Sequence, residues 1–146
     1  MPVNLYPATK SYLLGDLLSK VSRSFYLTLA VLPASVRTQV GLAYLFARAA
    51  DTITDTDLIK QSERIIHLKN FQKLFILDTI DWKIVRSIQT ALISHQALPA
   101  ERILLEKLED CFQVYLECEL SDRIRINDLM VTLTKGMEMD LELFQG

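Results

Sequence analysis

The sequence predicts an all-α protein, a single domain built as a bundle of about seven helices. Three observations carry that reading. No segment of the 146 residues alternates apolar and polar over a strand's length, and apolar positions recur instead at three- and four-residue intervals. Half of the residues are hydrophobic, too many for a disordered chain. Only four glycines and four prolines punctuate the sequence, so helices can run long between few breaks.

Each helix has a local reason. Thr9 or Ser11 can cap a first helix reaching Lys20, because a hydroxyl oxygen accepts from the free N–H groups of a first turn. Ser22 can cap a second, Arg23 to Leu32, which Pro33 must stop. A third starts near Ser35 and runs to Thr56, where Thr54-Asp-Thr-Asp57 reads as a helix end and loop. Ser62 to Leu77 makes a fourth helix and Trp82 to Ser94 a fifth. Pro99 suits the opening of a sixth, reaching Leu120. The apolar positions of that helix, Leu104, Leu105, Leu108, Cys111, Phe112 and Tyr115, form one stripe, and Glu101, Glu106, Lys107 and Asp110 point elsewhere. It is therefore expected on the outside of the bundle. Asn127 or Asp128 can cap a seventh helix, Leu129 to Phe144.

A net charge of −2 gives no support to nucleic-acid binding. The N-terminus lacks the basic start and apolar core of a signal peptide, and no run of apolar residues is long enough to cross a membrane. Cys111 and Cys118 lie seven apart on one helix, about 10 Å along its axis, too far for a disulfide. They read as reduced thiols of a cytoplasmic protein, with peripheral membrane association left open. His67 and His95 are isolated and read as ordinary helix residues.

The candidate site lies in the third helix, in the run Gly41-Leu-Ala-Tyr-Leu-Phe-Ala-Arg-Ala-Ala-Asp-Thr-Ile-Thr-Asp55. With each residue advancing about 100° and Tyr44 taken as zero, Arg48 falls near ~40°, Asp51 near ~−20° and Asp55 near ~20°. All four share a narrow stripe, while Leu42, Leu45, Phe46, Ala49 and Ile53 cover the other directions. A helix apolar on most sides is buried, and two carboxylates on it require compensating charge or metal. Carboxylates four apart suit Mg²⁺, which takes one or two of them and fills its remaining positions with water and substrate phosphate. The alternative is a solvated helix end with Arg48 as a surface partner.

Val21-Ser-Arg-Ser-Phe25, then Tyr44-Leu-Phe-Ala-Arg48 and Asp51-Thr-Ile-Thr-Asp55, resemble the squalene/phytoene synthase family in order and spacing, and Gly136-Met-Glu-Met-Asp140 resembles a further segment of it. The resemblance implies an isoprenoid synthase bundle around an apolar cavity. It also implies head-to-head condensation of two prenyl diphosphates, farnesyl or geranylgeranyl: farnesyl diphosphate to squalene through presqualene diphosphate, with NADPH, or phytoene or dehydrosqualene without it. On the same footing, Asp51 and Asp55 hold Mg²⁺ on the departing diphosphate, and Tyr44 and Arg48 contact that diphosphate or the cation it leaves. Ser22, Arg23 and Ser24 bind the diphosphate, and Phe25 and Met137 line the cavity. Plain core packing is the competing reading for Met137 and Met139.

Full members are about twice as long and carry a second aspartate-rich motif in a part with no counterpart in residues 1–146. The expectation is therefore an incomplete bundle: the N-terminal portion of one isoprenoid synthase domain, inactive alone, with exposed apolar surface that leads to self-association. A non-catalytic assembly or scaffold protein of the same fold is the alternative of another class. Glu138 and Asp140, two apart, cannot share a helix face and are not proposed as a metal pair.

Overall fold

The computed structural model describes residues 5–76 and 79–143, and among these the chain is helical with no strand. In chain order the helices are α1 (Leu5–Tyr12), α2 (Leu18–Val21), α3 (Arg23–Ala30), α4 (Ala34–Asp55), α5 (Gln61–Lys73), α6 (Trp82–Leu92), α7 (Pro99–Glu106), α8 (Leu108–Glu117) and α9 (Leu120–Leu143). A π-helical segment, Leu13–Leu17, joins α1 to α2, and a 3₁₀ turn, Ile93–His95, follows α6. The expected first helix is thus α1, the π segment and α2 in succession, already helical at Leu5.

Punctuation acts where the sequence places it. Ser22 adopts extended backbone and its Oγ accepts from the Phe25 N–H at 3.2 Å, capping α3. Pro33 separates α3 from α4, and Arg37 closes the gap by donating to the free carbonyls of Leu32 (2.7 Å) and Ala30 (3.1 Å). At the far end of α4, the buried Arg64 of α5 donates to the Thr54 carbonyl at 2.8 Å, a cation set against a helix C-terminus. Asp81 caps α6 through the Lys83 N–H.

α4 is the axis of the bundle, packed by α3, α5, α7, α8 and α9. Its face opposite the polar stripe buries Leu42, Leu45, Phe46, Ala49 and Ile53. Phe46 sits among Phe71, Phe75, Phe112 and Tyr115, with ring centroids 4.7–6.4 Å away. Gly41 allows α4 to lie against the π segment and α3: a Cβ there would come within 2.6 Å of Leu14 and 3.1 Å of Leu29.

Three expectations are corrected. The sixth helix is broken at Lys107 (φ −97°, ψ 11°), although nothing in the local sequence marks the break. Nor does its second half lie outside, because only Leu116 and Glu117 of α8 are exposed, while α7 exposes Pro99, Arg102 and Glu106 on its outer side. The seventh helix starts nine residues early, at Leu120 rather than Leu129. Extended backbone at Cys118 (φ −71°, ψ 154°) makes the break, and Asn127, far from capping, accepts from the Tyr115 hydroxyl in mid-helix. The fourth helix ends at Lys73; its expected end at Leu77, and that of the seventh at Phe144, fall outside the described residues. Cys111 is buried and unpaired, its thiol pushed far up by burial, and Cys118 is a second free thiol. No described helix is long and apolar enough to cross a membrane.

Candidate functional site

An open groove of about 920 Å³ lies between α4 and α9. From α4 it is lined by Asp51, Thr54 and Asp55, and from α9 by Thr132, Leu133, Gly136, Met137, Met139, Asp140 and Leu141. The two carboxylates four apart therefore face one cavity with largely apolar walls. Asp55 also borders a smaller pocket of about 330 Å³ on the other side, with Thr52, Thr56, Gln96 and Glu101.

The upper half of the stripe is engaged elsewhere. Arg48 turns toward α7, where its Nη2 pairs with Glu101 Oε1. Its Nη1 reaches Asp51 Oδ2 at 3.4 Å. The other Glu101 oxygen lies 3.2 Å from the Thr52 hydroxyl, which also lies 3.0 Å from the Arg48 carbonyl. Tyr44 stacks on Phe25, centroids 4.1 Å apart and planes within 11°. That stacking ties the start of α3 to the stripe about 10 Å, two helical turns, from Asp51. Ser22 is committed to the cap, while Arg23 and Ser24 are exposed at the same helix end.

Burial raises the Asp51 carboxyl above its ordinary value of 3.8; Arg48 opposes the shift, and Asp55 and Glu101 add to it. The folded chain thus binds this proton more tightly than the unfolded chain does. Stability falls as pH rises through the interval between the two values, and the ionised Asp51 burdens the fold at neutral pH. Asp51→Asn should therefore raise the melting temperature at neutral pH. The gain should fade below the ordinary carboxyl range of about 3.9. Thermal unfolding across pH checks this; a variant that melts lower at neutral pH would refute it.

Of the residues singled out in the sequence, the groove brings together Asp51, Asp55 and Met137. It is not lined by Tyr44, Arg48, Phe25 or Ser22, Arg23 and Ser24. Two residues were missed. Glu101, read as pointing outward, has only 14% of its side chain exposed and is the principal partner of Arg48. Asp140 lines the groove opposite Asp51 and Asp55. Its signal was present, because Leu133, Gly136, Met137 and Asp140 follow the spacing of one helix face. Glu138 points away and pairs with Lys69 at 3.4 Å.

The donor set is hard oxygen, and among the described residues no group of three or more His, Cys, Asp or Glu could hold a metal alone. Two carboxylates on one groove, with room for water and phosphate oxygens, fit Mg²⁺ held jointly with an anionic ligand. Residues 18–145 match the squalene/phytoene synthase family. The chain belongs to that family. It is also similar to a bifunctional lycopene cyclase/phytoene synthase of Blakeslea trispora, 33% identical over 82 residues. That match covers 49% of this chain and 13% of the relative. No solved structure matches the chain significantly. Family membership agrees with the all-helical fold, and the matched residues include all four segments, at the start of α3, on α4 and on α9.

Proposed function

We propose that the chain forms the first acidic half of an Mg²⁺-dependent prenyl-diphosphate site for head-to-head condensation of two prenyl diphosphates. The leading assignment is farnesyl diphosphate to squalene, and formation of phytoene or dehydrosqualene is the nearest alternative. The observation that carries the reading is the placement of Asp51 and Asp55 on one groove whose other wall, from α9, is mostly apolar and carries Asp140. When bound, Mg²⁺ neutralises the diphosphate and makes it a competent leaving group.

The chain's own residues do the rest. Asp51 and Asp55 hold the metal. Arg48, at the edge of the pair, supplies a fixed cation for the diphosphate oxygens, and a preorganised charge acts without reorganising during reaction. Arg23 and Ser24, exposed at the start of α3 outside this groove, are the further polar groups offered to the diphosphate, while Ser22 holds the helix end in place. Tyr44, its ring fixed by Phe25, offers a π face to a developing cation. Leu133, Met137 and Met139 give the groove its apolar wall.

The test is calorimetric titration of the chain with farnesyl diphosphate, with and without Mg²⁺. Two carboxylates supply too few ligands for hydrated Mg²⁺, so metal alone should bind weakly and prenyl diphosphate should bind better with metal than without. Equal affinity in the two titrations would refute the reading.

A further inference from the structure

We infer that Glu101 is a positioning residue for Arg48, fixing one end of its guanidinium so that the other is held at the edge of the acidic pair. The inference rests on the reading of the groove as a diphosphate site. Glu101 lies in the first turn of α7, 53 residues from Arg48. Its carboxylate is largely buried, and both oxygens have a polar neighbour: one pairs with Arg48 Nη2, and the other lies 3.2 Å from Thr52 Oγ1, whose one proton is shared with the Arg48 carbonyl at 3.0 Å. A buried carboxylate held on both oxygens does not readily exchange partners.

The opposite end of the guanidinium is different. Nη1 meets Asp51 only at 3.4 Å, and the Asp51 side chain is 41% exposed. A long contact to a solvated carboxylate is weak and replaceable. Arg48 Nε, meanwhile, is buried without a partner, so the pose is not the one that satisfies the arginine best. Glu101 dictates it. When Asp51 turns to a metal, Nη1 stays beside it at the rim of the groove with its direction already set, and a diphosphate oxygen reaching that rim can take the place of the carboxylate.

A mere staple between α4 and α7 would use the same ion pair, so the test isolates placement. Glu101→Asp keeps the charge and withdraws the carboxylate by one methylene; Glu101→Gln keeps the reach and loses the charge. Binding of inorganic diphosphate at fixed Mg²⁺ is measured by calorimetry for the unaltered 146-residue chain, each variant, and each variant combined with Arg48→Ala. Glu101→Asp should weaken binding about tenfold, within the ~10²-fold that a 1 Å misplacement of a site group can cost. Glu101→Gln should weaken it less. In the Arg48→Ala background neither should change affinity, because no guanidinium remains to be placed. The same fold-change in both backgrounds, or Glu101→Asp binding as tightly as the unaltered chain, overturns the inference alone. Diphosphate binding unaffected by Mg²⁺ in the unaltered chain overturns the site reading and the inference with it.

Discussion

Asp51→Asn and Asp55→Asn should each abolish most of the mutual tightening between Mg²⁺ and prenyl diphosphate while leaving the helix intact. Both carboxylates line the same groove, and in the proposed site each is one of only two protein ligands, the metal otherwise relying on water and phosphate oxygens. By linkage, the factor by which metal improves diphosphate affinity equals the factor by which diphosphate improves metal affinity. Such couplings run at about 1–3 kcal/mol, or roughly 5–150-fold, and losing one of only two protein ligands should bring the factor close to unity. Asp55 is exposed and Asp51 only half-buried, so neither substitution opens the core, and helical content should not change. Arg48→Ala acts differently: it removes a cation rather than a ligand, and should weaken diphosphate binding with or without metal. Titrations in both orders of addition measure all of this. An undiminished coupling factor in Asp51→Asn would show that the stripe does not hold a metal–diphosphate pair.

The parts of this molecule that were legible in the sequence are those settled within one helix. Pro33 and the polar run after Thr54 mark the ends of α4, and the 3.6-residue period aligns Tyr44, Arg48, Asp51 and Asp55 without reference to any other element. The Ser22 cap is likewise a contact between residues three apart. What was not legible depends on pairing between distant segments. The Glu101–Arg48 ion pair has no local signature, and a polar residue on an amphipathic helix reads as solvated unless its cross-bundle partner is known. Asp140 was compared with its neighbour Glu138, two residues away, when the relevant comparison was across the groove to α4. α9 shows tertiary packing overriding local preference. Asn127 and Asp128 are good caps, yet contact with α4 and α5 keeps the helix running straight through them.

The largest effect on stability should come from Phe46→Ala, on the face of α4 opposite the acidic pair. Phe46 is fully buried and touches the rings of Phe71, Phe75, Phe112 and Tyr115, contributed by two other stretches of chain. Truncating it removes the transfer energy of the ring and leaves a cavity bounded by stiff aromatic neighbours that cannot collapse freely. Phe→Ala changes in cores cost about 3–5 kcal/mol. Native domains retain only about 5–15 kcal/mol in total, so a substantial part of the fold's stability should disappear. With roughly 2–4 °C lost per kcal/mol for a domain of this size, the melting temperature should fall by on the order of 10 °C. Phe46→Leu, which keeps much of the volume, should cost clearly less. Leu27→Ala, at a side chain 52% exposed, should change stability by no more than about 0.5 kcal/mol. The consequence reaches the site because one helix carries both faces. Phe46 fixes the rotation of α4 about its axis, and with it the direction in which Asp51 and Asp55 enter the groove. Phe46→Ala should therefore weaken Mg²⁺–diphosphate binding even at temperatures where the chain remains folded. Unfolding monitored alongside the titration separates the two effects: a variant that melts early but binds metal and diphosphate normally while folded would show that the site does not depend on this packing.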